Sequence, residues 1–300
     1  MTPQRRAAPR PARTSDGGGR RPSGPRASGV RVRRMARAVD DGYEHDLLPG
    51  LRSSVDAARL ADELTFAAAR LEQLAGDDPP GLYADVALER DTPEEAAWLA
   101  FLIAYLSPAE DGDPWGGIAA ARVPWASGEV PDLDGVILGP RTAHDPRRGA
   151  ATLVAYRAWA ARAGSQAEAY TGDPSWPAQR RFERAFERLS LPGMHRAARF
   201  ELLVMLGRLG VFDVRPWSLH LGADALDPTV VAAKRVLGIG DALLLQRRAS
   251  ELAAGVGVPV EALDLALLNW SRPEGERITA GATVGADGPA RESIGSVLGV

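Results

Sequence analysis

Residues 191–196 read Leu191-Pro192-Gly193-Met194-His195-Arg196 and lie between two apolar helical patterns. Phe182, Phe186 and Leu189 recur at helical spacing before them, and Ala197-Ala198-Arg199-Phe200 resumes the pattern directly afterwards. The stretch is therefore helix, tight turn, helix. A turn this short needs a residue free to take a positive φ, which Gly193 supplies. It also leaves unpaired N–H groups at the start of the second helix, where they can hold a phosphate. Such a hairpin grips a nucleic-acid backbone without reading its sequence, and Gly193, Met194, His195, Arg196 and Arg199 are the candidate contacts.

Outward from the hairpin, the pattern remains helical. Leu51, Val55, Leu60, Leu64, Ala67, Leu71 and Leu74 recur at threes and fours. Asp91-Thr92 can cap a helix that Pro93 and Glu94-Glu95 then open, and its run to Leu106 is apolar nearly all round, which predicts a central position. Trp98, Phe101 and Tyr105 on it are core residues rather than a stacking platform. Residues 107–145 are rich in Gly, Pro and Asp and predict a long loop with one short helix near 117–122. Further helices are expected at about 148–163, 177–189, 197–209, 229–237, 241–254 and 259–270. No pair of strands emerges, and the fold class is all-α.

Of the 300 residues, 45% are hydrophobic and 25% charged, with no apolar run long enough to span a bilayer, so a soluble protein without membrane contact is expected. The absence of cysteine excludes disulfides, Cys-ligated metal and a thiol nucleophile, and fits a reducing, cytoplasmic setting. Four histidines, His45, His144, His195 and His220, lack metal-ligand spacing, and no metal or cofactor is implied. Residues 1–40 carry eleven Arg against two acids with little to bury, the composition of a disordered basic tail. Either Met35 is the true start or the tail is an arm that touches nucleic acid. The main domain is placed at 47–271, and the Gly-, Ala-, Thr- and Ser-rich residues 272–300 predict a tail of low order.

Beyond the tail the chain is acidic, with 25 basic residues against 37 acidic, which argues against a broad nucleic-acid footprint. The sign reverses around the hairpin, where Arg180, Arg181, Arg184, Arg188, Arg196, Arg199 and Arg208 outnumber Glu183, Glu187 and Glu201. A limited contact with one DNA strand is the expectation.

With Leu191-Pro192-Gly193 followed by Leu226-Asp227-Pro228-Thr229-Val230 and Arg235-Val236-Leu237-Gly238-Ile239, the chain resembles the helix-hairpin-helix DNA glycosylase superfamily. The resemblance implies a two-lobed helical fold over about 47–270, DNA as partner, and Asp227 as the carboxylate of the site. His195 stands where that family has a second glycine, and Ala197 stands where its lyase members carry a lysine. Alanine cannot form a Schiff base, so lyase chemistry at that position is excluded. These departures resemble the divergent branch of α-glutamyl/putrescinyl thymine pyrophosphorylases, which implies an amine displacing pyrophosphate at an activated 5-hydroxymethyl pyrimidine. The alternatives are a monofunctional glycosylase, in which Asp227 assists water, and a non-enzymatic DNA- or protein-binding module.

Each candidate has a plainer role beside its chemical one. Asp227 either stabilises charge in a reaction or simply caps a helix ahead of Pro228. Asp264, flanked by Leu and Ala, either belongs to a site or is satisfied by a nearby Arg. Lys234, the single lysine, either supplies an amine or lies on a solvated helix face. Trp115 and Trp125, in the long loop, are the candidates for stacking on an exposed base. Leu237-Gly238-Ile239-Gly240 is a second hairpin-like sequence or only a turn.

Overall fold

The computed structural model describes residues 38–300 except 223; the basic tail expected over 1–40 and the start at Met35 lie almost wholly outside the described residues. The described elements are α1 (Ser54–Ala75), α2 (Leu82–Leu88), α3 (Pro93–Leu106), α4 (Gly116–Ala120), α5 (Ala151–Ala163) and α6 (Gln166–Thr171), then α7 (Ala178–Arg188), α8 (Arg196–Arg208), α9 (Pro228–Leu237), α10 (Ala242–Val256), α11 (Ala262–Trp270) and α12 (Pro289–Leu298). The architecture is all-α, with no strand among the described residues. None of these helices is long and apolar enough to cross a membrane.

The helix that is apolar all round is central, as its composition predicts. Every residue of α3 from Ala96 to Leu106 is buried, and α3 packs against α8, α2 and α6. Phe101 stacks on both Trp98 and Tyr105, Tyr156 of α5 stacks on Trp98 and Phe101, and all four are at most 1% exposed. The second buried helix is α11, whose nine residues are all buried between α1 and α9. A single apolar cluster joins both.

The long loop after α3 is pinned rather than loose. Gly139 N–H donates to the carbonyl of Leu106 (3.1 Å) and Ala143 N–H to that of Tyr105 (2.8 Å), so the return segment lies along the end of α3. A side chain at Gly139 would come within 1.9 Å of the Pro108 carbonyl, which is why the approach needs glycine there. This fixes Arg141 between the two anchor points.

Residues 272–300 are a correction. The tail of low order expected from composition is an ordered wall ending in α12, which packs on α1 and α10. Asn269 brackets Ile278 with its amide, accepting from the N–H and donating to the carbonyl (both 3.0 Å). Tyr83 donates its hydroxyl to the Ala280 carbonyl at 2.7 Å, and Glu110 accepts from the N–H groups of Thr279 and Ala280. Ile278, Ala280, Ile294 and Leu298 are buried. Long-range hydrogen bonds order the segment, and no local pattern announces them.

Candidate active site beside the hairpin

A short turn joins α7 to α8, as the local helix–turn–helix pattern predicts. Gly193 has φ +85°, and a Cβ there would sit 2.7 Å from Thr152 Oγ1. Thr152 itself donates to the Pro192 carbonyl at 2.7 Å, tying the turn to α5. Met194 is buried beneath the turn.

The side chains expected to meet phosphate are otherwise occupied. His195, with an extended backbone (φ −70°), is the N-cap of α8. Its Nδ1 accepts from Ala198 N–H (3.2 Å), so the other nitrogen carries the proton, donating to the Thr142 carbonyl (3.2 Å). Burial lowers the His195 pKa, opposed by the Thr142 carbonyl and helped by Arg141, which favours this neutral ring. Arg199 folds back over the Phe186 ring (4.4 Å) and donates to the Phe186 carbonyl and Ser190 Oγ, clasping the end of α7. What the hairpin still offers is backbone N–H groups at the start of α8.

Arg196 turns inward, into a ladder of charges. Its Nε donates to Asp227 Oδ2 (2.5 Å), Nη1 to the Leu219 carbonyl (3.2 Å) and Nη2 to Asp264 Oδ1 (2.7 Å). Asp264 Oδ2 accepts from Arg141 Nη2 (2.6 Å), whose Nη1 donates to Glu201 Oε2 (2.8 Å). Glu201 Oε1 accepts from Arg70, which also donates to the Tyr83 hydroxyl. Three guanidinium groups thus alternate with three carboxylates, and the assembly is formally neutral.

The electrostatics follow from that pairing. Burial opposes ionisation of Asp264, yet Arg196 and Arg141 hold its pKa below the ordinary carboxylate value. Glu201 is lowered against burial in the same way by Arg70 and Arg141. Burial likewise disfavours the charge on Arg196, and Asp264 and Asp227 more than restore it.

Asp227 caps α9, its Oδ1 accepting from Thr229 N–H (2.9 Å) and Val230 N–H (3.4 Å), so the capping role is real. It also lines a cleft of about 420 Å³, together with Arg141, Thr142, His195, Arg196, Ala197 and Ile278. Ala197 therefore opens onto the same cleft as Asp227. Both are near helix N-termini, those of α8 and α9.

The remaining candidates separate. Asp264 is satisfied by arginine, bonded to Arg141 and Arg196, and does not itself line the cleft. Lys234 is half-buried on α9, seven residues and so about 10 Å along the axis from Asp227, and does not line the cleft. Trp115 and Trp125 do not line it either. Trp115 meets Tyr83 edge-on (4.9 Å), and Trp125 lies against Trp98 with Arg157 over its face (4.3 Å). Gly238 adopts φ +65° at the end of α9, and Leu237-Gly238-Ile239-Gly240 links α9 to α10, where Asp241 caps.

Sequence reading missed Arg141, Glu201 and Arg70. Arg141 sits in a loop without periodicity, and the other two were ordinary charges on helical patterns. Their only signal was position: each falls on a helix face or loop that packing buries. Among the described residues no group of three or more His, Asp or Glu is placed to hold a metal ion. Compared with protein-family models, curated proteins and solved structures, the chain matches none.

Proposed function

We propose that this protein processes a base in DNA at the Asp227 cleft, on a two-lobed glycosylase-like fold. The observation that carries the reading is that Ala197 and Asp227, separated by thirty positions of sequence, open onto one cleft next to the hairpin. Its volume, about 420 Å³, is within the usual range for a small-molecule pocket and admits a flipped base.

Within that reading, exchange at an activated 5-hydroxymethyl pyrimidine fits better than base excision. Asp227 already accepts three N–H donors, which suits it to attract positive charge rather than to take a proton from water. It would steer an incoming amine, while Arg141, Arg196 and the α8 N-terminus favour a departing anion. In the step proposed, the amine nitrogen bonds to the 5-methylene carbon, and the carbon–oxygen bond to pyrophosphate breaks with its electron pair on pyrophosphate. The surplus amine proton passes to solvent.

The test is to incubate the protein with an oligonucleotide carrying a pyrophosphorylated 5-hydroxymethyluracil and a primary amine, followed by mass spectrometry of the nucleosides. Expected are an aminomethyl base retained in the strand and one pyrophosphate per base. Release of free base with an alkali-labile site identifies the monofunctional glycosylase instead. No change in any base, with DNA still bound, identifies a binding module.

A further inference from the structure

Asp264 does not line the cleft, yet it holds two of the three arginines that do, Arg141 and Arg196. Its side chain is 3% exposed, on the wholly buried α11, and its two oxygens go to different elements: Oδ1 to Arg196 at the start of α8, Oδ2 to Arg141 in the loop after α3. Arg196 is held on three sides, by Asp227, the Leu219 carbonyl and Asp264. Arg141 is held at both terminal nitrogens, by Asp264 and Glu201.

Packing alone gives no reason for this arrangement, because apolar side chains of similar volume stabilise an interior at least as well as buried ion pairs do. What a bridging carboxylate adds is geometry. Two planar guanidinium groups bonded to one carboxylate have their separation and tilt fixed. We infer that Asp264 is the positioning residue of the cleft, setting the guanidinium groups of Arg141 and Arg196 at a fixed separation and angle in its wall, with Glu201 holding the far edge of Arg141. This rests on the cleft being the reaction site proposed above. Fixed donors aimed at developing negative charge need no reorganisation during reaction.

The full chain can be probed with phenylglyoxal, which modifies accessible guanidinium groups, and read by peptide mass spectrometry. In the wild type, Arg147, whose side chain is 90% exposed, reacts fast, and Arg141 and Arg196 react slowly. In Asp264→Asn, Arg141 and Arg196 should react about 10-fold faster, with Arg70 unchanged because Glu201 and Tyr83 still hold it. In the base-exchange assay the same variant should lose about 100-fold in kcat, the scale of a small misplacement of catalytic groups. KM should stay within a factor of about 3, and Asp264→Glu should recover part of kcat.

A folded Asp264→Asn protein with unchanged Arg141 and Arg196 reactivity overturns the inference, as does a parallel rise at Arg70, which signals general loosening. Should that variant fail to fold, Glu201→Gln decides: Arg141 must speed up while Arg196 stays slow, and a joint rise counts against the assignment. A wild type without turnover on any modified base defeats the proposed function, whereas the footprint still decides the clamp.

Discussion

Arg196 and Asp227 meet at the cleft, Nε donating to Oδ2 at 2.5 Å, while the other carboxylate oxygen of Asp227 caps α9. One aspartate thus ends a charge ladder, starts a helix and faces the cavity. These roles come apart under substitution.

Asp227→Asn keeps a good N-cap but removes the charge that pairs Arg196, so the cost is that of breaking a mostly buried pair, about 3 kcal/mol. Asp227→Ala should cost about 1 kcal/mol more, for the lost cap. Urea unfolding of the two variants measures both. Equal stability of Asn and Ala variants would show that the cap contributes nothing.

Ala197→Lys places an amine where the resemblance has its Schiff-base lysine. With an oligonucleotide containing an abasic site and borohydride present, the variant should form a covalent complex that the wild type does not. Denaturing electrophoresis reads the shift. A folded variant that never crosslinks argues against DNA threading this cleft.

Gly193→Ala forces a Cβ into a backbone at φ +85° and to 2.7 Å from Thr152 Oγ1. The left-handed conformation alone costs about 1–2 kcal/mol for an L side chain. The loss should appear in the denaturation midpoint and be partly relieved in a Gly193→Ala, Thr152→Ala double variant.

Acid should destabilise the fold in two stages. His144, His195 and His220 all have pKa values lowered, chiefly by burial, so the unfolded chain binds their protons first and stability starts to fall as pH drops below the ordinary histidine value of 6.5. Asp264 and Glu201 are lowered against burial by their arginines; their contribution is complete above the ordinary values of 3.8 and 4.5 and is lost as pH falls through the folded-state values. Stability measured from pH 8 to 3 should therefore show a shallow decline and then a steep one. In Glu201→Gln the steep part should flatten.

Leu298→Ala removes a fully buried side chain from α12 and should cost about 2–5 kcal/mol. Truncation after Arg272 strips Ile278 from the cleft wall as well, and should abolish any base chemistry along with cooperative unfolding. A truncated chain that unfolds like the full one would mean that α12 is an appendage.

How much could be read in advance differs from element to element. The helices α3, α7, α8, α9, α10 and α11 were legible to within a few residues, because their apolar residues recur at 3.6 and their ends carry Pro, Asp or Gly. The short helices α2 and α6 were not, being too brief for a period to declare itself. Asp227 was legible because its position before Pro228 and its order after the hairpin are both local facts. Arg141 was not, since nothing adjacent in sequence distinguishes it from other loop arginines.

By itself, then, the sequence determined the all-α class, the hairpin at Gly193, the central burial of α3 and the absence of a lysine at Ala197. Periodicity and turn chemistry act over a few residues, and a few residues suffice to read them. Only the tertiary structure decided that Asp227, Arg196, Asp264, Arg141 and Glu201 form one ladder at one cleft, and that Arg272 and Ile278 help to line it. Charge pairing across four separate segments depends on how helices pack, and burial, which makes each of those pairs matter, exists only once they have done so.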